Sequence, residues 1–179
     1  MKLNKKGLEL VKHFEGCYLK AYRCPAGRLT IGYGHTQGVR EGQTLPNELA
    51  AHNMLVRDLQ MVAAEVTVLL GNTVVNENQF NALVSFAFNC GLGGLAQSTA
   101  LRWLKEGKIK DAAQALTWWN KATVDGKKTV LKGLVRRREA EKALFLEPVS
   151  QDHETLAEIK EMLYNASRLL DEYIKRVEA

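Results

Sequence analysis

The stretch Cys17–His35 breaks the rhythm of an otherwise helical chain. It reads CYLKAYRC, then a Pro25-Ala26-Gly27 turn, then RLTIGYGH. β-Branched and aromatic residues on both sides of a Pro/Gly break predict a β-hairpin. Before it, Leu8, Val11 and Glu15 fall at i, i+3 and i+7 on one helical face. Asn4 is placed to cap that helix, which runs to about Phe14 and stops at Gly16. One hairpin inserted after one helix, with helices following, is an α+β pattern and excludes an alternating βαβ chain.

The rest of the chain is punctuated as helices. Thr44 and Pro46 announce a second helix through Leu49, Leu55, Leu59, Val62, Val66 and Leu69, ended by Gly71. Asn76 and Gln79 make a capping pair for a third, NQFNALVSFAFN, which stops at Gly91. Ser98 caps STALRWLKEG, with Gly107 as its stop. Lys110–Trp119 is helical again, and VRRREAEKALFL is a last helix before Pro148. Beyond Pro148 the residues Leu156, Ile159, Leu163, Ala166, Leu170, Tyr173 and Val177 alternate spacings of three and four, a heptad stripe. The chain therefore divides into a body, 1–148, and an amphipathic helical extension, 149–179. The stripe packs on its own domain, or serves self-association through residues 156–177 or docking on a partner.

Charge narrows the partners. Residues 1–150 hold 21 Lys and Arg against 13 Asp and Glu, a net of +8, while residues 151–179 hold 4 against 7, a net of −3. A basic body suits an anionic partner: nucleic acid, a membrane surface or an anionic wall polymer. No nucleic-acid module with interleaved aromatics is present, and Arg136–Arg138 fit a salt-bridged or solvated helix face. The start, MKLNKKGLELVKHFEG, has no apolar core for a signal peptide. No run of eighteen uncharged apolar residues occurs; Met61–Leu70 is short, is broken by Glu65 and reads as a buried helix. Stable membrane insertion is not expected. Cys17, Cys24 and Cys90 are too few and irregular for a disulfide framework or a zinc site, so no metal or cofactor is expected.

Chemistry concentrates in residues 15–36. Glu15 ends a helix, where the negative end of the dipole and partial burial under the hairpin both raise a carboxyl pKa. A carboxyl that keeps its proton near neutral pH suits a general acid acting on a glycosidic oxygen. The turn brings Cys24 and Thr30 onto neighbouring strands at the mouth between hairpin and helix. Glycosidases oppose the proton donor with a second group on the other sugar face, and these two are the candidates. A thiol is only a few per cent ionised at pH 7; Arg23 and Arg28 would increase that fraction. Cys17 and Cys24 also suggest an oxidised, silenced form.

This window resembles the phage-type lysozymes of glycoside hydrolase family 24, many of them endolysins. Their pattern is a Glu, eight residues, an Asp (Cys in a subset), five residues, a Thr, then Ile-Gly-x-Gly-His. The chain shows Glu15, Cys24, Thr30 and Ile31-Gly32-Tyr33-Gly34-His35 at those spacings. Asn78–Phe86, Phe88-Asn89-Cys90-Gly91, Ser98-Thr99 and Gly133-Leu134 before Arg136–Arg138 extend the likeness over about residues 3–147. The resemblance implies a mostly helical, lysozyme-like fold with a small hairpin lobe. It implies Glu15 as general acid, Thr30 holding the attacking water, and Phe88 and Asn89 lining the sugar cleft. Cys24 departs from the majority, which place a carboxylate there. His35 reads as a structural hydrogen-bonding residue, and Trp103, Trp118 and Trp119 as core rather than sugar platforms.

The implied activity is hydrolysis of the β-1,4 bond between N-acetylmuramic acid and N-acetylglucosamine in bacterial peptidoglycan, causing host lysis. The implied course is accumulation in the host cytoplasm and holin-dependent release to the wall. The alternatives are lytic transglycosylation to 1,6-anhydro products and a non-catalytic wall-binding module.

Overall fold

The computed structural model describes residues 3–24, 27–124, 126–149, 160–164, 166–168 and 170. Compact unit Met1–Glu147 is followed by a second unit, Pro148–Ala179. The first helix, α1 (Lys5–Glu15), starts where the Asn4 side chain accepts from the Gly7 N–H, and it ends at Gly16. The hairpin follows as β1 (Tyr18–Arg23) and β2 (Leu29–Gly32), antiparallel, with Tyr22 opposite Thr30 and Arg23 opposite Leu29. The Cys24 N–H donates to the Arg28 carbonyl at 2.9 Å and closes the turn. Pro25 and Ala26 of the expected turn lie outside the described residues.

The second helix begins later than its sequence signals suggested. Thr44 pairs with Lys20, and Leu45 N–H donates to the Leu19 carbonyl, so this stretch serves as a partner for the far edge of β1. Asn47 is the cap of α2 (Glu48–Leu70). At about 1.5 Å per residue this helix runs some 34 Å, burying Ala51, Leu55, Leu59, Ala63, Val66 and Leu70 along one stripe. Leu49, Met61 and Val68 face water, so Met61–Leu70 belongs to an amphipathic helix, not a buried one. Among the described residues no helix is long and apolar enough to cross a membrane.

The centre of the body is α3 (Glu77–Cys90). Its capping box is the expected Asn76–Gln79 pair, and Asn78 through Ala87 are buried on every side. Helices α1, α2, α4 (Leu92–Ala96) and α7 (Lys132–Leu146) pack around it, and α5 (Thr99–Lys105) and α6 (Ile109–Leu116) pack on each other. Ser98 caps α5 as expected. Two elements went unread in the sequence: the short α4, and a second hairpin, β3 (Lys121–Val124) with β4 (Lys127–Val130). The Asp125-Gly126 pair between matched strands was its turn signal. In the second unit, Leu163, Ala166 and Leu170 are helical and exposed, whereas Leu156, Ile159, Tyr173 and Val177 lie outside the described residues.

Gly7 lets α1 lie close against α3. A Cβ there would stand 2.7 Å from Leu3 Cδ1, 2.8 Å from Asn81 Oδ1 and 2.9 Å from Asn81 Cβ. Alanine gains about 1 kcal/mol of helix propensity, but forcing apart a packed contact costs about 1–3 kcal/mol. Gly7→Ala is therefore expected to lose up to about 2 kcal/mol in urea unfolding; a gain in stability would refute this account of the α1–α3 contact.

Candidate active site

The last residue of α1 delivers Glu15, whose side chain is 19% exposed. Arg137 Nη1 donates to its Oε1 at 2.5 Å. On the other side the backbone of Gly34 comes close: with φ at +90°, a Cβ there would lie 3.1 Å from Glu15 Oε2. Glycine at 34 is thus required twice, by the left-handed backbone and by the carboxylate's space. The Phe88 ring edge lies 3.7 Å from the same position.

Arg137 is itself held from behind. Its Nε donates to Glu141 Oε1 at 3.1 Å and its Nη2 to the Ser85 carbonyl at 3.3 Å. The next residue, Arg138, donates to Asn89 Oδ1 at 2.8 Å and to Cys90 Sγ at 3.0 Å. Its Nε stands 3.1 Å from Glu141 Oε2, without hydrogen-bond alignment. Ser85 Oγ donates to Glu141 Oε1 at 2.8 Å. Arg138 and Glu141 are fully buried and Arg137 nearly so. The expected salt-bridged face of Arg136–Arg138 is therefore real for two of the three, but it points into the body. Burial pushes the Glu141 carboxyl up, while the two guanidiniums and the Ser85 hydroxyl pull against it. Burial likewise pushes the Cys90 thiol up, with Arg138 opposing.

All five site residues named from the sequence meet in one cavity of about 620 Å³. Glu15, Cys24, Thr30, Phe88 and Asn89 line it together with Tyr22, Arg28, Gly34 and His35. Thr30 is 4% exposed, and its Oγ1 donates to the Arg28 carbonyl at 3.1 Å. Tyr22, across the hairpin from Thr30, has its phenol pushed up by burial first and then by the charges of Tyr18, Glu15 and Cys24. A second cavity, about 640 Å³, adjoins the first and is lined by His13, Phe14, Leu131, Leu134, Arg136 and Arg137. Glu15 and Asn89 line both cavities.

His35 is engaged on both ring nitrogens, Nδ1 2.8 Å from Asp58 Oδ2 and Nε2 2.8 Å from the Gln37 carbonyl. It braces the hairpin against α2. Trp103 and Trp119 pack partly buried on the core, and Trp118 is 53% exposed with its ring edge-on to Trp103. None of the three lines either cavity beside Glu15.

Two expectations about the cysteines change. Cys17 and Cys24 flank the two ends of β1. At about 3.3 Å per residue they stand on the order of 20 Å apart, far beyond the roughly 7 Å limit for a disulfide. The oxidised pair is therefore ruled out within this fold. Of the two arginines near Cys24, Arg28 shares its cavity, but Arg23 turns to the Gly27 carbonyl and to Glu41. Arg137 is the residue that sequence reasoning missed. Its signal was Arg137 and Arg138 at i−4 and i−3 from Glu141, beside apolar residues of the same helix.

A family model described as "Phage lysozyme" matches residues 12–141. The chain is 43% identical over 148 residues to an endolysin of Acyrthosiphon pisum secondary endosymbiont phage 1, covering 81% of this chain and 98% of that one. In structure it is similar to the muramidase domain of SpmX from Asticaccaulis excentricus, with TM-score 0.77 and 44% identity, over 82% of this chain and 99% of that one. It is also similar to the endolysin from Escherichia coli O157:H7 phage FAHEc1, with TM-score 0.76 and 37% identity, over 83% and 96%.

Removing the Glu141 charge leaves Arg137 with Glu15 as its remaining carboxylate and Arg138, among the described residues, with none. Breaking a buried ionic cluster at one partner costs about 3–5 kcal/mol. Glu141→Gln should lose about that much in urea unfolding; a loss under about 1 kcal/mol would mean the cluster is not held together by that carboxylate.

Proposed function

Since the chain belongs to the phage lysozyme family and is a peptidoglycan-hydrolysing endolysin, we propose that Glu15 is the acid that cleaves the wall. The bond is the β-1,4 link between N-acetylmuramic acid and N-acetylglucosamine. The observation that carries this reading is the position of Glu15 between two adjoining cavities, with Cys24 and Thr30 in only one of them.

In this arrangement the Glu15 carboxyl gives its proton to the glycosidic oxygen as the C–O bond breaks. Charge then develops on the anomeric carbon of the muramic residue, which lies toward Cys24 and Thr30. Thr30 holds a water there. The water oxygen adds to that carbon, and its proton passes to the Cys24 thiolate or back to Glu15. Alternatively Cys24 sulfur bonds the carbon first and water displaces it, as in a retaining glycosidase. Phe88 and Asn89 form the floor of the cleft. Asn89 is positioned by Arg138, and the Glu15 carboxyl by Arg137; both must be oriented before substrate arrives for proton transfer to be efficient. Thr30 favours hydrolysis over transglycosylation, because a sugar hydroxyl that attacks its own ring needs no held water.

The body, residues 1–148, carries this chemistry, and residues 149–179 associate with a second copy through the heptad stripe. Leu163 and Leu170, both exposed and helical, belong to that stripe. In sedimentation equilibrium the full chain should form dimers, and Leu163→Glu with Leu170→Glu should give monomers. A monomeric wild type at all concentrations would end the self-association reading.

Release of reducing sugar from purified peptidoglycan, with mass spectra of the fragments, tests the chemistry. Glu15→Gln is expected to lower kcat by about 10²–10⁴, the range for removal of a general acid, with wild-type products ending in reducing muramic acid. Cys24→Ser separates the two courses: a loss of similar size makes the thiol a participant, and near-normal turnover leaves the water to Thr30. Wild-type turnover in Glu15→Gln, or anhydro ends, would overturn the assignment.

A further inference from the structure

Between α6 and α7 the hairpin β3–β4 stands out from the body. All of its strand residues are exposed except Ala122, which is half-buried. Its base is tied by the Leu131 N–H donating to the Asn120 carbonyl at 3.0 Å. The segment carries Lys121, Lys127, Lys128 and, just beyond it, Lys132, against a single acidic residue, Asp125, which lies outside the described residues. Among the described residues none of these four lysines has a carboxylate within ion-pair distance. Of the other described lysines of the body, Lys6, Lys12, Lys108 and Lys142 each face a glutamate, and Lys5, Lys20, Lys105 and Lys110 do not.

The register sharpens the contrast. Lys121 opposes Val130 and Lys128 opposes Thr123, so these two lysines lie on one face of the hairpin with one pair between them, while Lys127, opposite Val124, lies on the other face. Like charges so placed repel each other. The array then continues along α7: Lys132 and Arg136 are four residues apart on one helix face. Arg136 is exposed, pairs with no described carboxylate, and lines the cavity of about 640 Å³ that borders Glu15. Leu131 and Leu134 line it too. Thus cations with no described carboxylate partner stand on the hairpin, and along the chain that leaves it Leu131 and Arg136 line the cavity on the side of Glu15 away from Cys24 and Thr30.

We propose that β3–β4 and Arg136 form an arm that holds the carboxylates of the peptidoglycan strand beside the cleft. This rests on the peptidoglycan reading of the site and adds what that site grips outside the scissile bond. Peptidoglycan is a polyanion through the carboxylates of its peptide stems, and lysines on a narrow projection raise its local concentration at the cleft. Such contacts are made alike before and during bond cleavage, so they act on KM and not on kcat. They weaken as salt shortens the reach of charge to a few ångströms.

The test uses the full chain and insoluble sacculi stripped of phosphate-bearing polymers with hydrofluoric acid. Half of the sacculi have their carboxylates converted to amides with carbodiimide and ammonia. The triple variant Lys121→Gln, Lys127→Gln, Lys128→Gln, and separately Arg136→Gln, are compared with wild type by co-sedimentation and by turnover. At low salt the triple variant should bind native sacculi about tenfold more weakly, with KM raised to match and kcat within about twofold. Wild type should lose the same affinity on amidated sacculi, where the variant changes little, and the difference should vanish near 0.5 M salt, roughly where screening is complete.

Equal binding by wild type and variants overturns the proposal, as does a wild type indifferent to amidation. Binding confined to unstripped sacculi would assign the row to a phosphate polymer and overturn it too. A variant that only self-associates would show lysines that merely guard the hairpin edges, which also overturns it. The amidation arm uses wild-type protein and stands even if a variant misfolds. Glu15→Gln separates the two readings: if it still turns over while the hairpin variants lose binding, the catalytic assignment fails and the arm survives. If it is inactive and the hairpin variants bind normally, the arm fails alone.

Discussion

Glu141 is the anchor on which the rest of this site depends. A carboxylate with no exposed surface is expensive unless charge and hydrogen bonds surround it, and here Arg137, Arg138 and Ser85 do so. Each arginine then has donors left over. Arg137 turns them to Glu15 at the end of α1, and Arg138 turns them to Asn89 at the end of α3. One buried anion on α7 thereby orients two groups on two other helices. The aromatic faces of Phe14 and Phe86, 5.8 Å and 4.7 Å from the two guanidiniums, restrict them further. Replacing such a network by a well-packed apolar cluster of the same size is often neutral for stability; what it supplies here is the orientation of Glu15 and Asn89.

The fold supplies the frame for that network. Because α3 is buried on every face, its neighbours bring it apolar surface or, as α7 does with Arg137, Arg138 and Glu141, mutually paired charges, and α1 comes close at its backbone, which is where Gly7 acts. The hairpin has no such depth. Two strands alone are marginal in water, and β1–β2 is steadied by the extended stretch around Thr44 and by His35 against Asp58. The site therefore joins a rigid half, bearing Glu15, to a thinner half, bearing Cys24 and Thr30.

Much of this was legible because local chemistry and fold agree. The caps Asn4, Asn76 and Ser98 and the stops Gly16, Gly71 and Gly91 mark helix ends through side-chain and backbone hydrogen bonds that sequence alone specifies. Glu15, Cys24 and Thr30, named together from their spacing, line one cavity. What failed to show was tertiary. Thr44 carries a helix-start signal, yet its backbone is taken by a strand edge at Lys20, twenty-four residues earlier. Arg137 and Arg138 look like surface charges until Glu141 is known to be buried with them. Cys17 and Cys24 look near in sequence, but a strand holds its ends apart. The Asp125-Gly126 turn was readable, and the lysines around it, poor strand formers, hid it.

The two cavities that share Glu15 have a mechanical consequence. A carboxyl at the closed end of a pocket would suit chain ends, which it would trim one unit at a time. A carboxyl with room on both flanks suits a polymer that runs through and continues in each direction. With Glu15 in its proposed role, cuts would fall within strands, where each one severs a span of load-bearing mesh. A wall stretched by internal pressure tears after few such breaks, long before much of its mass has dissolved.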